Sequence, residues 1–388
     1  MLRRAFVLLI GTLGLAACGS SESGKPTEIN QPPGPSTGSA PAANAIASGP
    51  VAILLPLSGR MADIGKPMLD AAQLALAVPG APELMVKDTG GTPDGAAKAA
   101  QEAIQGGARM ILGPVTSAET AQVAPIARQA GVPVLAFTND HAQAQPGVWV
   151  LGITPGQQVR RLLGAVQLAG KGQVAALLPD NDFGKAMADE LTRVASITSQ
   201  PPPFVRMIGT GKDDIISAVN ELAGLAVPDQ PPPYGAILMG STGPDLTVFA
   251  KAFADAHIDR DKVQILGPAL WGIPASNSAV LAGAWFAAPD PDSRRDLIRD
   301  YTDKYKIPPP PLADLASDAA SIARVLTGAG RIPTAALTQP AGFAGVDGWL
   351  GLLSDGQVRR GLAVFRVDRG GHVTKISNAP AGPSSTGS

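Results

Sequence analysis

The stretch from Val51 to Leu76 constrains the chain most, because it reads as a single strand–loop–helix unit. Val51-Ala52-Ile53-Leu54-Leu55 is a short, branched apolar run of the length expected for a strand buried on both faces. Pro56 ends it and Ser58-Gly59 turns the chain. Pro67, suited to a first helical turn where its missing N–H costs nothing, leads into a run with Met68, Ala71, Ala72, Ala75 and Leu76 on one face. A loop at the carboxyl end of such a strand is where open α/β sheets take their ligands.

The unit recurs. Strands are expected at 83–88, 109–112 and 131–137, with an Ala-rich helix after Pro93 and another after Thr116-Ser117-Ala118-Glu119, which has the spacing of a capping box. After an extended piece at 148–154 the same grammar restarts, with strands at 173–178, 205–208, 234–239 and 263–266 alternating with helices. Helices over 293–305 and 312–328 follow, and the Pro-rich pieces at 201–203, 231–233 and 308–311 fall between elements. Strand alternating with helix specifies an α/β fold with parallel, doubly wound sheets. Roughly 330 residues of body suffice for two cores.

Composition removes several function classes. A net charge of −1, with no basic run interleaved with aromatics, argues against nucleic acid as a partner. The single cysteine, Cys18, allows no internal disulfide and no thiolate metal site, and His141, His257 and His372 lie far apart. No cofactor or metal is expected. There is no Gly-x-Ser-x-Gly elbow, and Gly209-Thr210-Gly211-Lys212-Asp213 lacks the upstream glycine and the final hydroxyl of a phosphate-binding loop. No catalytic residue is assigned, and the chain is read as a non-enzyme.

The amino terminus reads as a targeting segment. Arg3 and Arg4 precede an apolar stretch too short to span a bilayer, and Leu15-Ala16-Ala17-Cys18 resembles a bacterial lipobox. The resemblance implies a signal peptide over 1–17 and acylation at Cys18, which anchors the chain in a membrane. Gly19 in place of aspartate implies the outer membrane, facing the periplasm, with the inner membrane as the alternative. Residues 18–49, rich in Ser, Gly, Pro and Ala, read as a flexible tether spanning roughly 30 Å.

Four landmarks in order carry a family resemblance: VAILLPLSG near the start, Gly113-Pro114-Val115-Thr116-Ser117-Ala118, Asn181-Asp182-Phe183-Gly184, and the closing segment from Phe343 through Asp347-Gly348-Trp349 to Val367. Together they resemble the type I periplasmic binding proteins of the leucine/isoleucine/valine-binding family. The resemblance implies two Rossmann-like lobes that close like a hinge around three crossings. These are expected near 148–156, 284–291 and 338–346. Lobe 1 would then comprise 50–152 with 290–340, lobe 2 would comprise 153–285 with 341–378, and 379–388 would be a disordered tail.

The same resemblance implies a cleft whose first-lobe loops hold an amino-acid carboxylate. The candidates there are Ser58, Thr116, Ser117, Thr138 and Asp140, and on the second lobe Asp182, Phe183, Ser241, Thr242 and Trp271. Asp140 departs from the family's usual threonine and repels a carboxylate if it points inward. The family's acidic grip on the ligand ammonium is replaced by Gly267-Pro268-Ala269-Leu270-Trp271. Two readings remain open. One is a regulator that activates a penicillin-binding protein, and so peptidoglycan synthesis, by protein contact, as lipoproteins with a similar domain do. The other is the substrate-binding lipoprotein of an ABC permease, taking branched-chain or other amino acids or small polar solutes.

Overall fold

The computed structural model describes residues 27–28, 49–227, 230–272, 279–328 and 334–383. In chain order the strands are β1 (Thr27–Glu28), β2 (Val51–Leu55), β3 (Leu84–Asp88), β4 (Ile111–Leu112), β5 (Val134–Ala136), β6 (Val148–Val150), β7 (Val174–Pro179), β8 (Val205–Ile208), β9 (Ala236–Met239), β10 (Gln264–Gly267), β11 (Trp285–Ala288), β12 (Phe343–Gly345), β13 (Gly348–Leu352), β14 (Val358–Arg360), β15 (Ala363–Val367) and β16 (Val373–Ser377). The helices are α1 (Ala62–Ala75), α2 (Pro93–Gln105), α3 (Ser117–Gln129), α4 (Pro155–Leu168), α5 (Asp182–Ile197), α6 (Lys212–Ala223), α7 (Asp245–Asp255), α8 (Arg295–Tyr305), α9 (Ala313–Gly328) and α10 (Thr334–Leu337).

The first lobe is built on a parallel sheet ordered β3-β2-β4-β5-β6. Successive side chains of a strand point to opposite faces, and β2 shows the consequence. Val51, Ile53 and Leu55 enter one apolar core with Met68, Ala72 and α9, while Ala52 and Leu54 enter a second with the alanines of α2. Both cores are built of buried apolar side chains, which is why the run is apolar throughout instead of alternating. The second lobe repeats the plan on a sheet ordered β16-β15-β11-β10-β9-β7-β8, parallel except for β15, which runs antiparallel to both β11 and β16. Ala175 and Leu177 face α6 and α7, and Ala176 and Leu178 face α4 and α5.

The structure departs from the sequence expectations in five places. Helix α1 begins at Ala62, so Pro67 lies inside it and forgoes one backbone hydrogen bond, not in its first turn. The piece at 284–288, expected as a crossing, is strand β11 of the second sheet, and the chain crosses after Ala288. The closing segment 341–378 is not one second-lobe unit. Phe343, Leu350, Leu352 and Val358 pack in the first-lobe core with Ile53 and α9, whereas β15 and β16 complete the second sheet. The third crossing is therefore Gly361-Leu362 and not 338–346, because a hydrophobic hairpin is buried where its apolar face finds a core, whatever its place in the chain. Ala379 packs against the second-lobe core, so the expected tail does not begin there. Finally, part of the expected tether is paired: Thr27 and Glu28 align parallel with Phe343 and Ala344.

Candidate functional site

Parallel strands bring their carboxyl ends to one edge of each lobe, and the candidate residues follow from that. In the first lobe the loops after β2, β3, β4 and β5 meet there. Asp88, the last residue of β3, accepts from the N–H groups of Leu57 (2.9 Å), Ser58 (3.2 Å) and Gly90 (2.8 Å). Slight burial pushes its carboxyl up, but the Ser58 hydroxyl and these N–H donors outweigh that and hold it below the usual range. Ser58 is thus exposed but tied to Asp88.

Thr116 caps α3, and its capping box with Glu119 forms as the sequence spacing predicts. The Thr116 hydroxyl donates to Glu119 Oε2 at 2.9 Å and accepts from the Glu119 N–H at 3.2 Å. Glu119 is completely buried, and its other oxygen accepts from the Thr89 hydroxyl at 2.6 Å. A hydroxyl has one proton to give, so Thr116 has spent its own inside the protein.

Ser117 is spent in the same way. Its hydroxyl donates to Asp140 Oδ2, which also accepts from Gln143 Nε2 at 3.1 Å, while Asp140 Oδ1 accepts from the Ala142 N–H at 3.0 Å. Buried Thr138 accepts from the Asp140 N–H at 3.1 Å and so fixes the loop. Burial pushes the Asp140 carboxyl up, and the bonds from Ser117, Gln143 and Ala142 push it down further, so it is held ionised below the usual range. Ser117, Thr138 and Asp140 are thereby brought together, with a fixed negative charge among them.

The second lobe is built differently. Asn181 caps α5 by accepting from the Gly184 N–H at 3.0 Å, which leaves Asp182 exposed at the helix start. Gly184 is required, since a Cβ there would stand 1.9 Å from the Pro179 carbonyl. Phe183 is half-buried against the core of α4 and α5. Ser241 is buried, Thr242 half-buried, and the Ser241 carbonyl accepts from the Trp271 indole N–H at 3.0 Å. Trp271 corrects an expectation: it is completely buried in the second-lobe core, its ring lying over Gly267, where a Cβ would meet it at 2.2 Å. It is a packing residue and reaches no cleft. Cys18 lies outside the described residues.

Asp88, Thr89, Glu119 and Gln158 were missed from sequence. Gln158 Oε1 accepts from the Ala269 N–H at 2.8 Å and ties α4 to the loop after β10. Asp88 had a usable signal, an acid at a strand's end before Gly90-Gly91; buried Glu119 was read only as a cap. Among the described residues no group of three His, Cys, Asp or Glu side chains is placed to hold a metal ion, and no helix is long and apolar enough to cross a membrane.

The sequence model of the family described as "Periplasmic binding protein" matches residues 50–372. No curated protein matches the sequence. Among solved structures, a putative branched-chain amino acid ABC transporter from Rhodospirillum rubrum is similar with a TM-score of 0.69 at 18% identity, covering 84% of this chain and 99% of that one. The substrate-binding protein LivJ from Streptococcus pneumoniae, in complex with isoleucine, gives 0.55 at 18%, covering 86% and 99%. The LpoA (YraM) C-domain from Haemophilus influenzae, a regulator of PBP1A, gives 0.63 at 17%, covering 84% and 100%. At such identities the likeness is one of fold.

Proposed function

The chain belongs to the periplasmic binding protein family, with the type I fold, and on that premise we propose that it is a non-catalytic regulator acting by contact with a penicillin-binding protein. The observation that carries this reading is the Ser117–Asp140 hydrogen bond. A cleft that takes amino acids needs free hydroxyls and N–H groups for the ligand carboxylate. Here the Thr116 and Ser117 hydroxyls already donate their hydrogen bonds to Glu119 and Asp140, and Asp140 is itself an ionised carboxylate. A second carboxylate beside it is repelled and loses its donors. The likeness to a regulator's C-domain supports the same reading. Acylation at Cys18, with anchoring in the outer membrane facing the periplasm, and residues 18–49 as the reach to a peptidoglycan synthase complete the proposal.

A second reading, the substrate-binding lipoprotein of an ABC importer, is favoured by one observation. The ionised Asp140 is a ready partner for an ammonium, so a solute lacking an exposed carboxylate would suit the site. Thermal unfolding against common amino acids, peptides and amines at millimolar concentration separates the two. A ligand at a hundred times its Kd stabilises by about 2.7 kcal/mol. The regulator reading expects no shift with any class, together with enrichment of a bifunctional penicillin-binding protein in a pull-down. A shift with one chemical class and no enrichment would replace it with the solute-receptor reading.

A further inference from the structure

Five charged side chains meet under the first lobe: Arg294, Asp314, Asp318, Asp347 and Arg360. Arg294 stands just after the second crossing and pairs with Asp314 of α9, its Nη2 donating to Oδ1 at 2.9 Å. Arg360 is the last residue before the third crossing. Its Nη1 lies 3.3 Å from Asp318 Oδ2 and 3.6 Å from Asp347 Oδ2, and its Nη2 donates at 2.9 Å to the carbonyl of Leu151, the first residue of the first crossing. Asp318 also accepts from the Val346 N–H at 2.5 Å. One cluster therefore touches all three connections between the lobes.

Its charges do not balance. Three carboxylates face two guanidiniums, and the Asp318 and Arg360 side chains are completely buried. An uncompensated charge in the interior is relieved most cheaply by taking up a proton. The geometry indicates where it sits. Asp347 Oδ1 is buried with no hydrogen-bond partner among the described residues, and the Asp314 carboxyl is a close neighbour of Asp347. Two bare carboxylates repel, whereas a proton between them supplies the missing donor.

We propose that this cluster is a hinge pin loaded with one exchangeable proton, and that losing the proton loosens the grip of the first lobe on the three crossings. Burial, reinforced by Asp347, pushes the Asp314 carboxyl up to about 8, and burial pushes Asp318 up to about 7 against the pull of Arg360. From the neighbouring α1 and α8, the facing groups are Asp70, paired with Lys66, and the Tyr301 hydroxyl. Burial with the nearby Asp70 pushes Tyr301 up to about 12, so it stays neutral through this range.

The test is urea unfolding of the full chain and of Asp314→Asn from pH 5 to 9. An unfolded aspartate has its ordinary pKa near 4. The proton's contribution is thus complete below about pH 4 and is lost as pH rises through about 8, where Asp314 titrates. Across that window the unfolding constant rises roughly tenfold per pH unit from this one proton. Asp314→Asn, whose neutral amide gives Asp347 a permanent donor, is expected to flatten that slope and to keep Val346 and Gly361 protected from hydrogen exchange at pH 9, where the parent chain loses protection. An unchanged slope in the variant overturns the proposal. Because the variant can fail to fold, carboxyl carbon-13 spectra of the unaltered chain provide a second arm. At least one aspartate carboxyl titrating above pH 6 is expected, and every carboxyl titrating below pH 6 overturns it.

Discussion

The two lobes share one plan and finish it with different materials. At the carboxyl edge of the first sheet, polar side chains lock one another: Thr89 and Thr116 onto Glu119, Ser117 onto Asp140, and Ser58 onto Asp88. At the equivalent edge of the second sheet, order comes from apolar packing, with Trp271 sunk over Gly267 and Phe183 against the α4–α5 core. The first edge is specified by hydrogen bonds that fail if a single partner is removed. The second is specified by shape. The first edge is thus electronegative and tied by hydrogen bonds, while the second carries an exposed Asp182 and a half-buried Thr242. The lobes also differ in how far along the chain they gather their parts. Helix α9 and β12–β14 return to the first core from more than two hundred residues away, while the second lobe is continuous from α4 to β11 and takes back only β15 and β16.

The largest test of this contrast is a pair of substitutions, one in each lobe. Arg360→Ala leaves Asp318 and Asp347 as buried charges with no cation, at a cost of about 3–5 kcal/mol. Trp271→Ala empties the centre of the second core at a similar cost, about 3–5 kcal/mol. Urea unfolding followed by hydrogen exchange lobe by lobe is expected to place the first loss in β2–β6 and the second in β7–β11. Equal loss in both lobes from either change would mean that they unfold as one unit and that the contrast has no energetic meaning.

A smaller effect is expected from Glu119→Gln, which replaces one of the two acceptor oxygens facing Thr89 and Thr116 with an amide donor. The expected loss is about 2–3 kcal/mol in denaturant unfolding, with exchange at Thr116 and Thr120 rising first. The smallest effect is acid-linked. Asp88 and Asp140 are held below the ordinary aspartate range, so their contribution is present above about pH 4 and disappears as pH falls through their folded-state values. Exchange at the Gly90 and Ala142 amides is expected to quicken at pH 3 relative to pH 6, after correction for the intrinsic rate. The sign is opposite to that of the hinge cluster, which makes the two separable in a single pH series.

The alternation of elements is legible in the chain alone, because strand and helix periodicity are local properties. VAILL at β2, the capping box at Thr116–Glu119 and the Asn181 start of α5 could all be read from neighbours a few residues away. The two-lobed architecture followed from repeating that grammar. Long-range packing alone places the closing hairpin in the first lobe, buries Trp271 in the second core and sets the Ser117 hydroxyl to donate a hydrogen bond to Asp140. It alone brought Arg360 against Asp318 and Leu151. The physical reason is the range of the interactions. A cap or an amphipathic face is fixed within one turn of helix, while a buried charge finds its partner wherever the packed chain puts one, and nothing in residues 314–318 announces the arginine some forty residues on.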